Sequence, residues 1–422
     1  MTVLNFKRTK IACFSAYFTM SSIFCLPPLL FVTFQNTFGI SYTLLGTLIL
    51  VNFCTQLGVD LIFSAFSKKF NPKWIVRFMP LITSLGLAIY ALIPTLFPNI
   101  AYLGLLIGTV IFSVSAGLSE VLLSPTIAAI PSDNPQKDMS MLHSLYAFGL
   151  FFVILVSTVF FKIFETEYWA YLVLFFATLP IIASVLFLTS PMPNMDSSQS
   201  NSTDKKSKID KRVLALCVAC IFFGSCAENA MSNWVSSFME NALKIDKALG
   251  DILGMATFAI LLGMTRILYS KFGKNICKTL LIGMVGATVC YTVVGLSPYA
   301  WLSFIACVLT GVFTAMLWPG TLIMMEEKLP SLGVWAYALM AAGGDLGASV
   351  SPQLLGIITD NVATSGFCAN LGATLGLSAE QIGLKVGMLT TAIFPLIGAI
   401  VVLIIIKTFK TEKTAKSQLL TK

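Results

Sequence analysis

The sequence predicts an all-α polytopic membrane protein with twelve transmembrane helices in two six-helix halves. Apolar residues make up 57% of its 422 positions and charged residues only 11%, and the mean hydropathy is +0.87. Soluble domains carry about 25% charged residues, so lipid must surround most of this chain. Because one span requires about 20 apolar residues, twelve spans leave no room for a large soluble domain.

Apolar windows of about 19 residues locate the individual spans. The first set covers 11–33, 41–66, 75–97, 101–128, 140–163 and 168–190, and the second covers 213–237, 249–271, 277–297, 300–325, 332–358 and 384–407. Residues 191–212 between the sets are Ser-rich and charged, a composition typical of a flexible connector. We therefore predict an N-terminal half at 1–190, a linker at 191–212 and a C-terminal half at 213–422.

The distribution of Lys and Arg predicts the orientation. If the N-terminus is cytoplasmic, 22 of the 27 basic residues fall in inner segments and four in outer ones. Cytoplasmic loops carry this excess in membrane proteins, so we expect a cell-membrane protein whose two termini and linker lie in the cytoplasm. The net charge of +8 then reflects topology, and we expect no nucleic-acid partner.

Composition also narrows the chemistry. The chain contains one histidine, which makes a His-based metal centre improbable, and most of its cysteines lie in apolar runs, where they behave as small hydrophobic residues. No G-x-x-x-x-G-K-[ST] segment is present, so ATP hydrolysis is not indicated. We expect no cofactor and no enzymatic activity, and an ion gradient as the energy source.

Glycine and proline repeat between the halves at a constant offset of 194 residues. The matched positions are Gly117, Pro125 and Gly149 against Gly311, Pro319 and Gly343. We interpret the repeat as internal duplication. Two parallel six-helix repeats are the architecture of the major facilitator superfamily, in which the solute site lies near the bilayer midplane where the repeats meet.

Glu120 is a candidate functional residue because an ionisable side chain in a span is costly unless it faces a cavity or a partner. The segment GLSEVLLSP has Glu120 and Pro125 at the spacing of a G-x-x-E-x-x-x-N-P pattern, and HSLYAFG, with His143 and Tyr146, follows in the fifth span. Here the sequence resembles the fucose permease branch of the superfamily, with Ser124 in place of Asn. The resemblance implies that Glu120 responds to both proton and sugar and that His143 and Tyr146 line the sugar site. A structural Glu bonded to a neighbouring helix is the alternative.

One departure from that branch concerns the first span, where sugar permeases carry an acidic residue. The comparable stretch here, SSIFCLPPLLF, has none. Asp60 in the second span could supply the missing proton-exchanging group. Alternatively, Asp60 pairs with a loop base such as Lys68.

The seventh span carries a polar stripe of Glu228, Asn229, Ser232 and Asn233, which ends beside Trp234. The i,i+4 spacing places these side chains on one helix face. Because polar groups are costly against lipid, we expect the stripe to bind a hydroxyl-rich or carboxylated solute in the cavity. Interhelical hydrogen bonding is the alternative.

Four further charged or aromatic residues of the second half lie in or beside its spans. Asp345 lies among glycines and before Pro352 in the eleventh span, which favours gating or proton coupling over packing. Trp318 could stack on a sugar ring or serve as a packing residue. We expect Arg266 to extend towards the membrane interface as a structural residue and Asp251 to stay hydrated at the outer mouth.

The leading functional hypothesis is proton-coupled symport of a sugar or similar small polar metabolite by alternating access, by a monomer in the lipid bilayer. Export of amphiphilic compounds by proton antiport is the second hypothesis, although the fifth span lacks the Gly-Pro-rich run typical of such exporters. A non-transporting receptor or scaffold is the third, and the carboxylates retained in both halves argue against it.

Overall fold

The computed structural model describes residues 6–66, 71–133, 135–193, 211–273, 275–329 and 334–420. Every regular element in these ranges is helical, which confirms the predicted all-α class. The chain groups into two compact units. Unit 1 comprises Met1–Asp204 and Ser236–Ile260, and unit 2 comprises Lys205–Val235 and Leu261–Lys422.

Unit 1 contains six long helices and a returning segment. The helices are α1 (Lys7–Phe38), α2 (Tyr42–Phe66), α3 (Pro72–Leu96), α4 (Ala101–Ala128), α5 (Pro135–Phe164) and α6 (Trp169–Leu188). The returning segment holds a π-helical turn at Phe238–Ala242, the short α8 (Lys247–Leu249) and a second π-helical stretch at Gly250–Ala256.

Unit 2 contains the remaining helices. They are most of α7 (Lys211–Ser237) and α9 (Thr257–Phe272), with α10 (Ile276–Leu296), α11 (Ala300–Thr314), α12 (Leu317–Lys328), α13 (Val334–Ala363), α14 (Gly366–Leu375), α15 (Ala379–Thr391) and α16 (Ile393–Leu420). The predicted tenth span is thus divided between α11 and α12, and the twelfth between α15 and α16.

Ten helical stretches within the described ranges are long and apolar enough to cross a membrane. Helix α5 adds a shorter apolar stretch, Phe148–Phe164, and α13 is 30 residues long. Helix α14 was not predicted, because its ten residues are too few for a span. Its ends are nevertheless well defined: the Ser365 side chain accepts from the Cys368 N–H, and Gly376 closes the helix at φ 66°.

Glycines set the closest helix contacts in both units. A Cβ at Gly86 of α3 would lie 2.5 Å from the backbone nitrogen of Phe112 in α4. In unit 2, a Cβ at Gly286 of α10 would overlap the ring of Phe313 in α11. In each predicted half, a glycine on the third helix thus makes a close contact with a phenylalanine on the fourth.

Candidate functional site

The central feature of unit 1 is a carboxylate pair. Side-chain oxygens of Asp60 on α2 and Glu120 on α4 lie within 4.8 Å of each other. Asp60 is half-buried, and its Oδ1 is enclosed without a hydrogen-bond partner among the described residues. Glu120 is solvent-accessible although it lies within a predicted span. Asp60 is thus partly enclosed by the protein, whereas the Glu120 side chain is exposed.

Gly117 explains why α2 and α4 come close enough to form this pair. It lies one helical turn before Glu120, and a Cβ at this position would stand 3.0 Å from the Cβ of Val59 and 3.2 Å from the carbonyl oxygen of Gln56. Val59 directly precedes Asp60 in the sequence. The absence of a side chain at Gly117 therefore brings the two carboxylates together.

A buried hydrogen-bond chain continues the α2–α4 contact. The Gln56 amide donates to Asn52 Oδ1 over 2.9 Å, and the Ser113 hydroxyl on α4 donates to the same oxygen over 2.6 Å. These residues were not predicted from the sequence. The signal was present, because Asn52, Gln56 and Asp60 recur every four positions along one face of α2.

In unit 2, Glu228 of the predicted stripe forms an ion pair with Arg266 of α9. The Arg266 Nη2 lies 3.1 Å from Glu228 Oε1 and 3.3 Å from Oε2. Arg266 therefore has a carboxylate partner on a neighbouring helix, a pairing that the sequence did not predict. A carboxylate partner inside the helix bundle compensates its charge, which removes the reason to reach for water.

Arg266 also satisfies a backbone group that proline exposes. Pro319 has no N–H, so the carbonyl of Ala315, four residues earlier, loses its helical partner. The Nε of Arg266 donates to that carbonyl over 2.8 Å. One guanidinium thus joins α7, α9 and the break between α11 and α12.

The rest of the stripe is bonded largely within α7. The Asn229 amide donates to the Ser225 carbonyl over 3.1 Å, and the Asn233 amide donates to the Asn229 carbonyl over 2.8 Å. Trp234 is fully buried, and its indole N–H donates to the Pro352 carbonyl of α13 over 3.0 Å. In this arrangement the Trp234 donor is already used in packing, whereas half-buried Asn229 remains accessible.

Trp318 packs against the residue that precedes Asp345 in α13 of unit 2. The Trp318 ring packs directly on Gly344, where an added Cβ would overlap it, and Asp345 is the next residue of α13. Asp345 is buried, with 5% of its surface exposed, and Trp318 is half-buried.

Fifth-span residues His143 and Tyr146 lie in α5, but their side chains fall outside the described part, as does the predicted Asp60 partner Lys68.

The returning segment of unit 1 holds a charged cluster centred on Lys247. Its Nζ donates to the Leu29 carbonyl of α1 over 2.8 Å and lies 3.5 Å from both Glu240 Oε2 and Asp251 Oδ2. The Ser236 hydroxyl donates to Asp251 Oδ1 over 2.5 Å. Asp251 is only 1% exposed, so the expectation of a hydrated carboxylate is wrong, because a cation and a hydroxyl replace water around it.

A second contact fixes the same segment. The Asn241 amide donates to the Tyr42 hydroxyl over 2.7 Å and approaches Gln35 Oε1 at 3.4 Å. Lys247 and Asn241 together hold the end of the seventh span and the start of the eighth against α1 and α2.

Residues 12–352 match the family model of the Major Facilitator Superfamily. The chain belongs to the major facilitator superfamily. Its helices are therefore those of a membrane transporter fold. No curated protein sequence matches the chain.

Solved structures of this superfamily share the fold at low sequence identity. The xylose transporter XylE from E. coli, in an inward-open conformation, is 14% identical with a TM-score of 0.68, covering 92% of this chain and 95% of XylE. A bacterial homolog of the human lysosomal transporter Spinster is 16% identical with a TM-score of 0.72, covering 96% and 97%. The nucleoside transporter NupG is 16% identical with a TM-score of 0.64, covering 95% and 98%.

Proposed function

We propose that this protein is a secondary active transporter that couples proton entry to symport of a sugar or similar small polar metabolite by alternating access. The observation that carries the proposal is the Asp60–Glu120 pair, with oxygens within 4.8 Å of each other. Two carboxylates this close repel each other when both are ionised, so one proton shared between them stabilises the pair. Release of that proton provides the coupling.

Accessible Glu120 is the member of the pair that would bind solute hydroxyls, and half-buried Asp60 the member that would retain the proton. Asp60 in this role replaces the acid that the first span lacks. The resemblance of the Glu120 segment to the fucose permease branch supports a sugar, and the fold similarity to the xylose transporter XylE is compatible with one.

We further propose solute-binding roles for residues of unit 2. Asn229 and Asn233 offer amide oxygens, and Trp318, whose ring packs on Gly344, offers an aromatic surface. We include His143 and Tyr146 among the proposed solute-binding residues on the resemblance alone. Glu228 would act on the solute site through Arg266. Asp345 is proposed as a second proton-coupling group, since Gly344 and Gly347 leave its helix free to approach its neighbours closely.

The test is uptake by proteoliposomes offered labelled sugars, nucleosides and organic acids, with and without an inward proton gradient. We expect gradient-driven accumulation of one solute class. Glu120→Gln and Asp60→Asn should reduce accumulation to the level measured without a gradient, while Asp60→Asn retains solute exchange at equal pH. Glu327→Gln, at an exposed carboxylate near the end of α12, is the matched control.

The outcomes separate the three hypotheses. Unchanged accumulation by Glu120→Gln would refute the assignment of Glu120. Amphiphilic compounds driven outward by proton entry would favour the antiport exporter, and binding without movement of any solute would favour the receptor or scaffold.

The proposed placement is a cell membrane, with both termini and the linker at 191–212 in the cytoplasm and the protein acting as a monomer. The positive-inside distribution of Lys and Arg supports this orientation. Protease added to intact cells should leave tags at both termini uncut. Cleavage of either tag would contradict the proposed orientation.

A further inference from the structure

A second feature of unit 1 is an apolar groove on the surface of α2, α3 and α4. Its volume is about 480 Å³. The side chains that line it include Val59, Ile62, Trp74, Phe78, Val114 and Leu118. All ten lining residues are apolar, and none of them belongs to the carboxylate pair.

The groove opens to the outside of the helix bundle. Ile62 is 55% exposed, Trp74 53% and Phe78 44%. All three lie in stretches that are long and apolar enough to span a membrane, so their exposed surface faces lipid. An acyl chain is the natural occupant, because hydrocarbon fills an apolar groove without leaving a polar group unpaired.

A cation stands at the end of this groove where α3 begins. The Arg77 guanidinium carbon lies 5.1 Å from the centre of the Trp74 ring, in a cation–π contact, and Trp74 itself stacks on Phe78 at 5.8 Å. Arg77 Nε is buried without a hydrogen-bond partner, and its side chain pairs with no acid in the described ranges. Lys73, one helical turn earlier, adds a second positive charge.

This arrangement lacks an anion. An unpaired guanidinium donor in a low-dielectric setting is costly, and a phosphate group matches its planar donors better than any neutral group does. The charge lies beside the apolar groove, so the complementary ligand has a negative headgroup and a hydrocarbon chain.

We propose that the α2–α3–α4 groove binds one acyl chain of an anionic phospholipid whose phosphate pairs with Arg77. Bound lipid would brace α2 against α4, since Val59 both lines the groove and contacts Gly117 beside Glu120. Membrane composition would then influence the carboxylate pair through this contact.

The test is native mass spectrometry of the full chain in detergent, titrated with phosphatidylglycerol or with phosphatidylcholine of the same acyl chains. We expect one tightly retained phosphatidylglycerol and a weaker phosphatidylcholine. Arg77→Gln should weaken phosphatidylglycerol binding about fivefold, the effect of one basic residue near an anionic headgroup. Lys278→Gln, an exposed lysine in the first turn of α10, should leave binding unchanged.

Ile62→Trp tests the groove independently of charge. The side chain is more than half exposed, so the larger ring should be tolerated in the fold while it fills the groove and weakens binding of both lipids. Equal retention of the two lipids by the native chain would overturn the preference for an anionic headgroup. Unaltered binding in both Arg77→Gln and Ile62→Trp would overturn the location, and competition by inorganic phosphate alone would overturn the role of the acyl chain.

Discussion

Arg266 shows how one side chain can stabilise two polar groups that would each be costly in a membrane. Glu228 is an acid within a span, and the Ala315 carbonyl is deprived of its helical donor by Pro319. The guanidinium bonds to both. Because its fork of donors is rigid, lysine could not make the same pair of contacts.

We expect Arg266→Gln and Glu228→Gln to destabilise the purified protein by about 2 kcal/mol each. A fully buried pair costs roughly 3–5 kcal/mol when broken, and the value here is smaller because the Arg266 side chain is 38% exposed. The double variant should be less destabilised than the two single variants added together. Thermal unfolding in detergent measures this coupling, with exposed Lys162→Gln as control; strictly additive effects would contradict the pairing.

Close contacts between helices depend on small residues. A Cβ at Gly149 would overlap the Ser21 hydroxyl and the Phe18 carbonyl, so α5 and α1 touch backbone to backbone. In unit 2, a Cβ at Gly347 would overlap the Phe222 carbonyl, which places α13 against α7 in the same way. A glycine on the fifth helix and a glycine on the eleventh thus each allow close contact with the first helix of the same predicted half.

Gly149→Ala should therefore lower stability by about 1–3 kcal/mol, the usual cost of an added methyl group in a tightly packed interior. Gly58→Ala provides the matched control on α2, because nothing lies within 4 Å of its added Cβ. That variant should be neutral or stabilising by up to about 1 kcal/mol, since alanine favours a helix over glycine. Chemical or thermal unfolding of both variants decides the matter, and equal effects would contradict the close contact.

At the scale of the whole molecule, the chain crosses between its compact units. Residues 236–260 belong by sequence to the second set of spans but pack within unit 1, where Lys247 donates to the Leu29 carbonyl. The π-helical turns on either side interrupt regular α-helix, a feature often found at functional sites. If transport proceeds by alternating access, as proposed above, we predict that this contact breaks as the returning segment moves away from α1.

Lys247→Met should accordingly favour opening, because it removes the contact to α1 and leaves Glu240 and Asp251 without their cation. Cys25 reports on this event, since it is fully buried on α1 one helical turn before Leu29. In a variant that retains Cys25 as its only cysteine, Lys247→Met should raise the rate of labelling by a water-soluble thiol reagent several-fold. Lys162→Met should leave the rate unchanged. An unchanged rate in Lys247→Met would contradict the role of Lys247 in holding the returning segment against α1.

Sequence by itself determined the class of protein and the approximate positions of its spans, because lipid as solvent demands long apolar helices whatever their partners. It also singled out Glu120 and Asp60, since the cost of a charge in a span depends on depth and needs no knowledge of neighbours. Only the tertiary structure decided which groups meet: Asp60 with Glu120 across Gly117, Arg266 with Glu228 and Ala315, and Lys247 with the Leu29 carbonyl. These pairings depend on helix rotation and close approach, which are set by contacts between residues far apart in the chain and leave no periodic signal within one helix.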